Sequence, residues 1–165
     1  MQWRRIALVI SCLAVLVACS RSAPAELTYS KRAFSKRAEQ AIPAAVVYVY
    51  TPGGVSQASA DEHLNFIRQT SGISDVPQVL PLIRDALERT GYETSAVQDR
   101  GDALCSTRTI PDGTERLVTL VAARGERTVQ LQHVTRNRAG NGLIVSCAGA
   151  AEIAGLLAAT LASVP

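Results

Sequence analysis

Aromatic side chains are scarce in this chain of 165 residues: two Phe, one Trp and four Tyr, 4% of the whole. A core built from such a composition rests on Leu, Val, Ile and Ala. Lysine is limited to Lys31 and Lys36, and histidine to His63 and His133. The two histidines stand far apart, and no His-x₃-His or Cys/His cluster marks a metal site. No Gly-x-Gly-x-x-Gly, P-loop, Gly-x-Ser-x-Gly or Ser-x-x-Lys occurs, so the usual cues to cofactor binding, phosphate binding and serine hydrolysis are missing. A strong charge of one sign is missing too, with 17 basic and 14 acidic residues. That gives no electrostatic case for nucleic-acid binding. What is present is an apolar majority, 47% hydrophobic, which excludes intrinsic disorder. The length fits one domain with a short extra segment.

The extra segment lies at the start. Arg4 and Arg5 precede an apolar run, Ile6 to Ala18, broken only by Ser11 and Cys12. Thirteen residues are too few for a bilayer core that needs about 20, and they fit a secretory signal. Leu16-Val17-Ala18-Cys19 closes the run. This segment resembles the lipobox of bacterial lipoproteins. The resemblance implies residues 1–18 as a signal peptide, cleavage before Cys19, and a diacylglyceryl thioether on that cysteine. Acylation of the new amine follows, with membrane binding that several acyl chains make permanent. Ser20, in the place where aspartate would retain the protein at the inner membrane, implies the outer membrane, facing the periplasm.

Cys12 leaves with the signal and Cys19 carries lipid. Cys105 and Cys147 remain, an even pair in an oxidising compartment, and a disulfide between them is expected. Neither has an adjacent base that would make it a nucleophile.

Residues 19–43 read as a lipidated tether. It holds a repeat, Ser30-Lys31-Arg32-Ala33-Phe34 and Ser35-Lys36-Arg37-Ala38-Glu39, read as a solvated turn of helix or as a basic patch for anionic head groups. Residues 44–165 read as one α+β domain. Ala44 to Tyr50 is a β-rich run. Ser59 and Glu62 form a capping box for a helix from Ala60 to Ser71-Gly72, with Leu64 and Ile67 inward. A second helix follows Asp75 as N-cap, interrupted by Pro81 and ended by Gly91. Strands are expected at 92–97, 103–110, 115–122, 127–135 and 143–147, with Pro111-Asp112-Gly113 as a turn. Ala150 to Val164 is a helix with Ile153, Leu156, Leu157, Leu161 and Val164 on one stripe.

The expected fold is therefore an antiparallel sheet of four to six strands, two helices ahead of most of it, and a C-terminal helix on it. In element order it is similar to the helix-grip arrangement. One conflict stands inside this reading. In a plain meander two strands separate Cys105 from Cys147, about 14 Å, whereas a disulfide needs Cα atoms about 4.4–6.8 Å apart. Either the last strand lies beside the first cysteine strand, or the sheet curls to bring its ends together.

Candidate chemistry is thin. His63 is expected in solvent at a helix start and His133 inward, by parity with Val129 and Leu131. Asp99, Asp102, Asp112 and Glu115 are expected as turn residues. Arg124, Arg127, Arg136 and Arg138 sit at two loops at opposite ends of one strand. The expected role is a non-catalytic envelope lipoprotein, without cofactor or metal, that binds an envelope protein or supports assembly; it predicts an exposed apolar patch or a free sheet edge. The alternatives are a periplasmic inhibitor or immunity protein working through Arg136 and Arg138 on the 136–142 loop, and a carrier of an apolar ligand held between sheet and C-terminal helix.

Overall fold

The computed structural model describes residues 23–70, 72–138 and 146–164. The expected signal segment and Cys19 lie outside them, as does most of the expected strand at 143–147. Eight strands build one antiparallel sheet: β1 (Glu26–Tyr29), β2 (Arg32–Ile42), β3 (Ala45–Pro52), β4 (Glu62–Gln69), β5 (Glu93–Ala96), β6 (Ala103–Ile110), β7 (Gly113–Arg124) and β8 (Arg127–Arg138). Their order is β1-β2-β3-β4-β8-β7-β6-β5, curved into a half-barrel. Curvature brings Tyr29 of β1 onto His133 of β8, ring centroids 4.8 Å apart, although three strands lie between them in the sheet.

The expected fold class is thus corrected. Two places account for the difference. Residues 26–42, expected within a tether, form a hairpin instead. Its two-residue turn is Ser30-Lys31, both in the left-handed region. Such turns normally carry Asn-Gly or Asp-Gly, so the sequence gives no hairpin signal there. Residues 62–69, expected as helix, form β4. Ser59 bonds Ser56 in a local turn rather than capping a helix. Leu64 and Phe66 face one side, His63, Asn65 and Ile67 the other. β4 lies between β3 and β8, and His63 on its outer face is buried like Leu64 on its inner one, so burial does not alternate and the three-residue spacing of Leu64 and Ile67 mimics a helical stripe.

Two helices complete the chain. α1 (Val76–Arg89) starts at Asp75, carries Pro77 in its first turn, and continues through Pro81. It ends at Thr90, with Gly91 following at φ +88°, a conformation glycine adopts without strain. α1 lies on the outer face of the sheet, where Val79 and Ile83 bury against Leu104 and Val121. α2 (Ala150–Ala162) lies on the inner face, with Ala154 and Leu157 fully buried. It touches β1, β7 and β8, so the sheet wraps it. The inner core is richer in aromatics than the composition implies. Tyr29, Phe34, Tyr48, Tyr50 and Phe66 are all buried there. The few rings of the chain are concentrated in its most buried layer.

The Cys105–Cys147 disulfide is present, with Cα atoms 5.9 Å apart. Neither expected route makes it. β8 stays beside β7, and Cys147 lies in the bend ahead of α2 rather than in a strand. Cys147 packs on the inner core and meets Cys105, itself 1% exposed, on the inner face of the sheet. The Arg116 guanidinium holds the same segment by donating to the Ser146 carbonyl at 3.0 Å.

Candidate functional site

Three arrangements have the polarity or the shape to carry function. The first is a buried ion cluster on the outer face. Glu115, expected in a turn, lies in β7 and is 2% exposed. Strand pairing places Arg108 and Arg136 on either side of it. Its carboxylate accepts from Arg108 Nε at 2.9 Å, Arg136 Nε at 2.7 Å and the Tyr92 hydroxyl at 2.5 Å. Burial pushes the Glu115 pKa up, but these three donors outweigh it and hold the group below the usual carboxylate range. Arg136 also donates to the Gln57 carbonyl and Arg138 to the Ala58 carbonyl. Arg138 lies within 3.5 Å of Asp61 and 3.3 Å of Asp112. Arg136 and Arg138 therefore sit in β8 and brace it against the 53–61 segment of their own chain, rather than standing on a projecting loop. Residues 139–142 of that loop lie outside the described residues. Arg124 and Arg127 close the β7–β8 turn at the far end of β8, so the four arginines do not share one site.

The second arrangement is on the inner face. Glu62 binds Arg32 at 2.6 Å and His133 Nε2 at 2.8 Å. His133 faces inward as its parity with Val129 and Leu131 indicates. Burial raises the Glu62 pKa, and the hydrogen bonds from His133 and Arg32 overcome it, leaving it lowered. Tyr29 is pushed up to about 12 by burial first and by Glu62 second. This set latches the β1–β2 hairpin to β8 and closes the curve of the sheet. His63, expected in solvent, is instead buried on the outer face at 2% exposure. Burial and then the nearby Arg136 charge lower its pKa to about 4.

The third arrangement is a groove on the outer face. One cross-sheet row runs Val47–Ile67–Gln130–Val121. α1 covers its Val121 end and contacts β5, β6 and β7. Over β8, β4 and β3 no described element follows. The result is a cleft of about 380 Å³ between α1 and the sheet. Val47 and Ile67 form its floor, Leu82, Ile83 and Ala86 its wall. Ile42 and Ile73 stand at its mouth, 44% and 36% exposed, and Leu82 on the wall is 55% exposed. Those three are among the four exposed large hydrophobic residues of the described chain, the fourth being Val55. This is the apolar patch the binding reading expects.

Among the described residues no titratable side chain lines the groove. Its polar atoms are the amides of Gln69, Gln130 and Gln132 and the hydroxyl of Thr128. The Thr128 hydroxyl is fully buried, with no hydrogen-bond partner among the described residues, and is closed to an incoming group. Such a floor buries apolar side chains and offers both donors and acceptors to peptide groups. The α2 face, where a carried ligand was expected, is filled by Ala154, Leu157 and Leu161 packed on Val118 and Leu120. Among the described residues no His, Cys, Asp and Glu group could hold a metal, and no helix is long and apolar enough to cross a membrane. Sequence reasoning missed the groove because Ile42 fell in the expected tether and Ile67 in an expected helix.

Searches against protein-family models, curated proteins and solved structures find no match.

Proposed function

We propose that this protein is an exported lipoprotein, anchored by lipid on Cys19 at the periplasmic face of the outer membrane, that binds another envelope protein without catalysing a reaction. The observation that carries the binding half is the outer-face groove: an apolar floor and wall, Leu82 exposed on that wall, and no titratable group among the described residues of its lining. Its occupant is an apolar peptide segment of the partner. An acyl chain would leave the Gln69 and Gln130 amides of the lining unpaired, whereas a peptide backbone can satisfy them. The anchoring half rests on the basic start, the short apolar run and Leu16-Val17-Ala18-Cys19.

The test is in-cell cross-linking of a C-terminally tagged full chain, followed by identification of what co-purifies. The Leu82→Glu variant puts a charge on the groove wall at an exposed position and leaves the core intact. A specific envelope protein that is captured by the native chain and lost with Leu82→Glu supports the reading. Equal capture by both overturns the groove as the binding site. A Cys19→Ala control reports whether capture depends on the anchor.

A further inference from the structure

Which end of the domain faces the membrane follows from how the chain enters the sheet, given the lipoprotein reading above. Ala23 is already part of the inner core, 7% exposed. Pro24 is fixed by the Tyr50 hydroxyl, which donates to its carbonyl at 2.8 Å, and Ala25 by the Lys36 amide at 2.8 Å. Only Ser20, Arg21 and Ser22 separate Ala23 from Cys19. At about 3.3–3.6 Å per residue the four steps from Cys19 to Ala23 span at most about 14 Å. The domain is therefore held against the bilayer, not hung from a long tether.

Strand polarity gives the direction. β1 is antiparallel to β2, with Glu26 opposite Ser35. The chain upstream of Glu26 thus heads the way β2 runs, toward Ile42 and the β2–β3 turn. β4 ends at the same end of the sheet, since Ala45 pairs with Gln69, and Ile73 follows it. The β7–β8 turn with Arg124 and Arg127 also closes there. The far end carries the 53–61 segment and Val55.

We propose that this end, with Ile42, Pro43 and Ile73, is a membrane-contact surface, its isoleucines entering the boundary between head groups and acyl chains. The occupant is the phospholipid surface to which Cys19 is tied. Two observations converge: the short link leads to this end, and the end exposes two large apolar side chains, with Arg124 and Arg127 in the turn at the same end of the sheet for anionic head groups. The groove then opens toward the bilayer, and a partner segment enters it from the membrane side.

The chain supplies its own spectroscopic background. Its single tryptophan, Trp3, precedes Cys19, so the mature protein has none. Acylated protein carrying Ile42→Trp, Ile73→Trp or Val55→Trp is reconstituted in phosphatidylethanolamine–phosphatidylglycerol vesicles with and without brominated acyl chains. All three positions are exposed, so each accepts the ring. Bromine should quench most of the emission at 42 and 73 and leave 55 unchanged. Quenching at 55 but not at 42 and 73 overturns the orientation. Quenching at none of the three, with the acyl mass present, shows that the end stands clear of lipid and overturns the contact. A purified N-terminus without acyl mass fails the lipoprotein reading itself, and this proposal with it.

Discussion

Glu115 and His63 show how much a single buried charge decides in this molecule. Removing the Glu115 carboxylate leaves Arg108 and Arg136 without their shared counter-ion beneath a buried hydrogen-bond network. Glu115→Ala should therefore cost about 1.5–3 kcal/mol, read as a lower midpoint in urea unfolding at unchanged slope. His63 acts through pH. Its folded pKa of about 4 lies below its unfolded value of about 6.5. The unfolded chain binds the proton first, so the contribution is intact above about pH 6.5 and is lost as pH falls toward 4. The whole window is worth on the order of 3 kcal/mol. Glu62 and Glu115, both lowered, lose their contributions at still lower pH, with the same sign. His63→Gln should flatten the decline of unfolding free energy between neutral pH and about pH 5. An unchanged slope there would show that His63 does not titrate on unfolding as its burial requires.

At the scale of elements, the β6–β7 hairpin turns on Gly113. A Cβ there would lie 1.8 Å from the Asn137 carbonyl oxygen of the neighbouring strand, and φ is +155°. Gly113→Ala should push β8 from β7, with a large loss of thermal stability. A near-native melting temperature would contradict the close approach. The disulfide ties β6 to the segment before α2 across 42 residues. The Cys105→Ala, Cys147→Ala double variant should lose roughly 4 kcal/mol, measured against the oxidised protein in urea.

The C-terminal half was legible as elements. The 103–110 strand, the Pro111-Asp112-Gly113 turn, the alternation of β8 and the final helix stand where propensity and period place them, and the cysteines pair as expected, although Cys147 lies in a bend and not in the expected last strand. The N-terminal half was not. β2 is an exposed, charged strand whose pairing depends on β1 and β3, and its turn uses Ser30-Lys31 in place of Asn-Gly. β4 buries His63 on its outer face as well as Leu64 and Phe66 on its inner one, so its pattern has no clean period of two. The groove lies among β3, β4, β8 and α1, so it depends on a strand order no local pattern encodes.

For the molecule as a whole, the curved sheet does two jobs on two faces. Its inner face wraps α2 and holds the disulfide, the Glu62 latch and the aromatic core, which make the domain rigid. Its outer face is covered by α1 only as far as β7, and the uncovered remainder is the proposed binding groove. On the proposed anchoring, a domain tied within about 14 Å of its lipid has few orientations open to it, and a partner at the same membrane would meet the groove repeatedly.

Everything proposed about location and partner depends on the N-terminus of the mature chain. The decisive measurement is the mass of the N-terminal peptide from protein purified out of membranes. The expected result is a peptide beginning at Cys19 and carrying a diacylglyceryl group and an amide-linked acyl chain. An unmodified Cys19, or a mature chain that begins at another residue, would contradict it.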